Sequence, residues 1–187
     1  MGEAGIPERQ VRALFDDDTI TVYQAYRPEI ADAALAAGTF VAPFKRDRMT
    51  WIKPSFLWMM HRSGWATKPG QERILAVRIS RDGFEWALRH ASLSHEATTG
   101  QVRVQWDPER SLQLERLGHR AIQIGLGGEA VGRYVDEWIE GISDVTPLAH
   151  EIHELVAAGE LDTAHGRLPQ ERPYELPADL TALIGAQ

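Results

Sequence analysis

Apolar and polar residues alternate in four separate stretches of this chain, and that period of two is the mark of a strand with one face in the core. In "TITVYQAY", Ile20 and Val22 oppose Thr21 and Tyr23. In "ERILAVRIS", Leu75, Val77 and Ile79 oppose Arg78, and in "QVRVQW" Val102, Val104 and Trp106 oppose Arg103 and Gln105. "RAIQIGL" then sets Ile122, Ile124 and Leu126 on one side. Short helical patterns separate the strands. Pro28 suits a first helical turn, Ile30, Ala33, Ala34 and Ala37 form its stripe, and Gly38 stops it. Ser80 is placed to cap a helix carrying Phe84, Ala87, Leu88 and Ala91. The spacing predicts a longer helix from Glu129 to Gly141 with Val131, Tyr134, Val135, Trp138, Ile139 and Ile142 on its apolar side. Thr146 reads as the cap of a further helix with Pro147 in its first turn and Gly159 at its end.

Strands gathered late in the chain favour an α+β fold over a doubly wound sheet. A length of 187 residues fits one domain, with residues 1–18 as a polar lead-in and 160–187 as a proline-punctuated extended arm. The absence of cysteine excludes disulfides and thiolate metal sites, and fits a cytoplasmic protein. No apolar run approaches the roughly 20 residues of a membrane span, and the N-terminus lacks a signal peptide's apolar segment. A net charge of -7 argues against indiscriminate nucleic-acid binding but leaves room for a local basic patch.

The basic-aromatic stretch "RMTWIKPSFLWMMHRSGW", residues 48–65, is the natural place for such a patch. A helix begun at Pro54 and ended by Gly64 would set Phe56, Leu57, Met59 and Met60 in an arc of about 160°, with Trp58, His61 and Arg62 opposite. Two readings are open. Both faces are packed, with Arg62 lying on Trp58; or Trp58 and Arg62 stack a planar ligand, with Lys45, Arg46, Arg48 and Lys53 forming a rim towards phosphate.

Other motifs are less specific. "HEIHE" brings His150, His153 and Glu154 within one helical turn but lacks the paired-histidine spacing of a zinc protease, and no metal is expected. "GLGGEAVGR" could aim backbone N–H groups at an anion, or be a tight turn. Asp107 and Glu109 in "WDPER" could act as an acid/base pair, or simply flank a turn fixed by Pro108. There is no G-x-S-x-G to present a serine nucleophile.

"VYQAYRPEIADAALAAGTF", "WIKPSFLWMMHRSGW", "VQWDPER", "RAIQIGL" and "LPQERPY", in that order, resemble the bacterial domain-of-unknown-function family numbered 4291. A more distant resemblance is to the ADP-ribosyltransferase fold, which opens with a strand bearing His or Arg and a helix closed by Gly. Gln24 stands at the His/Arg position, Thr50 or Trp51 at the strand-end Ser or Tyr, and "QVRVQWDP" at the glutamate-bearing strand. Val102 occupies the glutamate's place, with Gln101 beside it.

That likeness implies an ADP-ribosyltransferase-like split sheet, antiparallel or mixed, flanked by short helices, whose cleft binds NAD. Gln24, Thr50 and Gln101 would be the catalytic positions, and Tyr26, Arg27, Trp51, Lys53, Trp58 and Arg62 would bind the nucleotide. The activity implied is ADP-ribose transfer to a protein or nucleic-acid acceptor, or NAD hydrolysis. The rival expectation is a noncatalytic module that holds a nucleotide or an RNA end on the same basic-aromatic rim.

Overall fold

Each alternating stretch forms a strand in the computed structural model, which describes residues 5–93 and 101–187. The chain opens with β1 (Arg12–Ala13), β2 (Thr19–Tyr26), α1 (Pro28–Ala37), β3 (Thr50–Ile52) and α2 (Phe56–Ser63). Next come β4 (Arg73–Ser80), α3 (Arg81–Arg89), β5 (Ala91–Leu93), β6 (Val102–Arg110) and β7 (Arg116–Leu126). The remainder is α4 (Glu129–Arg133), a π-helical turn (Tyr134–Trp138), β8 (Ile139–Asp144), α5 (Thr146–Ala157), α6 (Leu161–Arg167), β9 (Arg172–Pro173) and α7 (Ala178–Ile184). The fold is α+β. One sheet is antiparallel in the order β2-β4-β8; a second runs β3-β7-β6-β5 and is mixed, because β5 joins β6 in parallel. A two-stranded β1-β9 ribbon ties the two ends of the chain together.

The β2-β4-β8 sheet buries residues on both of its faces. Ile20, Val22, Leu75, Val77 and Ile79 belong to the larger core, with Phe84, Val131, Tyr134 and Trp138. Tyr23 and Ile74 belong to a second core with Phe56, Met59, Met60 and Ile152. Tyr23, expected on an outward face, is therefore only 2% exposed. A period of two says which residues share a face, not whether the opposite face is wet.

Caps explain where several helices start. The Ser80 hydroxyl accepts from the Gly83 N–H at 3.2 Å, as anticipated, and Ser55 caps α2 by accepting from Trp58 N–H at 3.0 Å. Gly64 ends α2 in the left-handed region at φ 59°. Thr146 does not cap. Its hydroxyl accepts from the Ile74 N–H at 2.8 Å, pinning α5 to β4, while Asp144 accepts from the Thr146 N–H at 3.0 Å. The helix expected through Gly141 stops at Trp138, and Ile139 and Ile142 lie in β8, where a bulge opposite Arg78 and Ile79 interrupts the pairing.

The ends are also more structured than a lead-in and an extended arm. Of the lead-in, residues 1–4 lie outside the described residues; Val11 and Ala13 are buried. The last segment carries α6 and α7, and Tyr174, Leu180 and Ile184 enter the larger core. No helix among the described residues is long and apolar enough to cross a membrane.

Candidate functional site

The two sheets meet at a four-residue segment. Thr50, Trp51 and Ile52 pair with Leu126, Gly125 and Ile124 of β7, and one residue later the Lys53 carbonyl accepts from the Tyr23 N–H of β2 at 2.7 Å. Beside this junction lies a cavity of about 560 Å³, lined by residues of both sheets. Gln24, Tyr26, Thr50, Trp51, Lys53 and Arg62 all line it. A second lobe of about 390 Å³ shares Tyr26, Arg48, Met49 and Thr50 with the first and adds Arg27, Phe44 and Lys45. Together the lobes form one cleft of the size small-molecule sites occupy.

Gln24 is the hub of its back wall. Its Nε2 donates to Thr50 Oγ1 at 2.6 Å, to Tyr26 Oη at 3.0 Å and to the Trp51 carbonyl at 3.3 Å, and its Oε1 accepts from Tyr134 Oη at 2.6 Å. Tyr26 Oη and Thr50 Oγ1 are also 2.8 Å apart. The amide is 2% exposed and engaged by the protein at both ends. Gln24 thus fixes Tyr26 and Thr50, both of which line the cavity. Burial pushes the Tyr26 phenol up to about 12, against the pull of Thr50 and Gln24, so it is protonated at neutral pH.

The floor is the polar side of the β3-β7-β6 sheet. Gln123 Nε2 donates to Gln105 Oε1 at 2.9 Å and to Asp107 Oδ2 at 2.6 Å. Trp51 lies over Gly125, where a Cβ would stand 2.9 Å from the indole and 2.8 Å from Met49 Sδ. Glycine is needed here because the ring seats directly on the strand.

Charge is distributed unevenly around the cleft. Arg48, Lys53 and Arg62 line the main lobe, and Arg27, Lys45 and Arg48 the second; among the described residues no carboxylate lines either. Arg27 has Glu29 at 3.7 Å, and Arg46, expected on this rim, is turned away into a two-pronged pair with Asp136 at 2.7 and 2.8 Å. Lys53 is 7% exposed and its ammonium donates to the Trp51 carbonyl at 3.1 Å. Burial, then the nearby Arg62 charge, brings its pKa down to about 7, with Asp107 opposing.

Two expected site residues stand elsewhere. Trp58 is 7% exposed and packed inside α2, and the cation over its ring is Lys53 at 5.7 Å rather than Arg62. Trp58 is thus buried as the packed reading expects, but Arg62 does not lie on it and stays exposed. Gln101 lines neither lobe: its carbonyl accepts from the Gly127 N–H at 2.7 Å and its side chain lies against Gly128. The same turn leaves Arg133 between Glu129 and Glu137, at 2.7 and 3.4 Å, not open to an anion.

Asp107 and Glu109 do not pair either. Asp107 holds the floor, whereas Glu109 accepts from Ser55 Oγ at 2.9 Å and lines a separate cavity with Glu171 and His119. His153 stacks on Trp65 with centroids 5.3 Å apart. Gln71, Gln105 and Gln123 on the cleft lining, and the core residue Tyr134 that bonds Gln24, are absent from the site expected from the sequence. The outward alternation of Gln105 was the signal for the floor; nothing local marks Tyr134 as a partner of Gln24.

A family model described as Domain of unknown function (DUF4291) matches residues 10–174, a span containing every residue that lines the cleft. No curated protein matches the chain at a significant level.

Proposed function

The chain belongs to the Domain of unknown function (DUF4291) family, and on that footing we propose that its cleft binds NAD or a related nucleotide. The observation that carries this reading is a two-lobed cleft with five cations and no carboxylate on its described lining, in a chain of net charge -7. Cations concentrated against the prevailing charge favour an anionic ligand. Trp51, Tyr26 and Phe44 offer flat apolar surface for planar rings, while Arg48, shared by both lobes, is suited to a central phosphate. The distant likeness to ADP-ribosyltransferases adds the expectation that the bound nucleotide is NAD, with ADP-ribose transfer or NAD hydrolysis as the reaction.

In that reaction the nicotinamide–ribose bond breaks through a cationic state that a carboxylate helps to stabilise. Thr50 and Tyr26 would orient the ribose through their hydroxyls, held in place by Gln24. Gln101 and Trp58 have no part in this arrangement. A noncatalytic nucleotide- or RNA-end-binding module is the second reading. It is favoured by one feature, the lack of a carboxylate on the described lining: Val102, where the ADP-ribosyltransferase likeness expects a glutamate, is fully buried, and Asp107 is held by Gln123 and lines neither lobe.

A thermal-shift series with NAD, ADP-ribose, ATP and short RNA tests binding. A ligand at 100 times its Kd adds about 2.7 kcal/mol. Arg48→Ala and Arg62→Ala, both at exposed positions, are expected to weaken binding by about tenfold or more each, since hydrogen bonds to charged groups are worth about 1.5–3 kcal/mol. Unchanged affinity in both variants would remove the cleft from the account. Release of nicotinamide from NAD separates the enzyme from the binder.

A further inference from the structure

Three of the twenty Lys and Arg residues are lysines: Lys45, Lys53 and Lys68. Lys45 and Lys68 are exposed, whereas Lys53 is buried and faces the main lobe. This contrast is chemical. A chain that uses arginine almost everywhere has lysine at the buried cationic position of its cleft, although arginine binds phosphate in two-pronged fashion and lysine does not. What lysine can do, and arginine cannot, is give up its proton. The surroundings favour that loss. The Lys53 ammonium donates to the Trp51 carbonyl, lies over the Trp58 ring and has the Arg62 charge nearby. At a pKa of about 7 roughly half of the side chain is free amine in neutral solution, about a thousandfold more than for an ordinary lysine near 10.4.

We propose that Lys53 is an amine nucleophile that forms an imine with the open-chain aldehyde of a sugar phosphate, the terminal ribose of ADP-ribose being the representative substrate. The proposal rests on the nucleotide reading of the same cleft. Arg48 and Arg62 take the phosphates, and the amides of Gln105 and Gln123 along the floor meet the sugar hydroxyls. The Nζ lone pair adds to the aldehyde carbon, and the nitrogen's proton passes to the oxygen to give a carbinolamine. That hydroxyl then leaves as water, the nitrogen losing its second proton as the C=N bond forms.

The test uses the whole protein, incubated with ADP-ribose or ribose 5-phosphate and sodium cyanoborohydride. The hydride reduces the C=N bond to a stable secondary amine, located by peptide mass spectrometry. A reduced adduct is expected at Lys53, formed about a hundredfold faster than at Lys45 or Lys68, with a rate that climbs as pH rises through about 7. Lys53→Arg and Lys53→Met should each lose it, and Arg62→Ala should slow it. Because the adduct is mapped on the unsubstituted protein, a variant that fails to fold does not decide the result. Adducts spread evenly over the three lysines would overturn the proposal. Binding of ADP-ribose by calorimetry without an adduct overturns the role of Lys53 and leaves the nucleotide site standing. Neither binding nor adduct overturns both.

Discussion

Glu171 and Lys53 are two half- or fully buried ionisable groups whose titrations act on stability in opposite senses. The Glu171 carboxylate accepts from the Phe56 N–H at 2.7 Å, at the start of α2. Burial pushes its pKa from 4.5 up to about 8, the Phe56 bond opposing and the Glu109 charge adding. A folded pKa above the unfolded one means that its contribution is complete below about pH 4.5 and lost as pH climbs to about 8. Lys53 runs the other way: its contribution is complete above about pH 10.5 and lost as pH falls through about 7. Glu171→Gln keeps an acceptor for Phe56 and removes the titration. Its melting temperature should therefore fall less than that of the unsubstituted protein across the acid-to-neutral range. Identical slopes for the two proteins would show that Glu171 ionises in the fold as freely as in the open chain. Neither group was legible in the sequence as a titrating site. Glu171 owes its environment to α2, far away in the chain, and Lys53 owes its own to burial at the junction of the two sheets, with the Arg62 charge adding and Asp107 opposing.

At the scale of elements, periodicity was informative where one face mattered and silent where two did. α2 was readable to within two residues because a serine cap and a left-handed glycine bracket it. That Trp58 on its second face is also buried, while Arg62 on the same face stays exposed, is recorded by no local pattern. Trp58→Ala is therefore expected to cost stability of about 3–5 kcal/mol, as for other buried tryptophans, while Trp51→Ala, half-exposed in the cleft, should mainly reduce ligand affinity. Equal loss of stability in the two variants, measured by urea unfolding, would contradict this division. Spacing of three between Ile139 and Ile142 fits a helix, and only pairing with β4 makes it a bulged strand. The turn before it explains Gly83: a Cβ there would lie 2.3 Å from Trp138 Cγ. Gly83→Ala should overpack the contact between α3 and the π-helical turn and cost about 1–3 kcal/mol in the same assay. A neutral result would mean that Trp138 moves aside freely.

For the molecule as a whole, the fold class was legible because the strands announce themselves, and the cleft was half legible because six of the nine expected site residues lie in its main lobe. Arg27 lies in the second lobe; Trp58 and Gln101 fall outside both. The missing half is the floor, made where β6 and β7 pair and their outward glutamines come together. One consequence of the cation-lined cleft reaches beyond contact with the ligand. The chain as a whole carries a net charge of -7, so an anion small enough to sit wholly inside the cleft is expected to meet attraction, while a polyanion that protrudes is expected to have its overhang repelled. Affinity for oligonucleotides at low ionic strength should therefore decline once the strand outgrows the cleft, and added salt should narrow the gap by screening the overhang within about 10 Å at 0.1 M. On the nucleotide reading proposed above, the fold would thus act as a length filter, turning away long nucleic acids by its field.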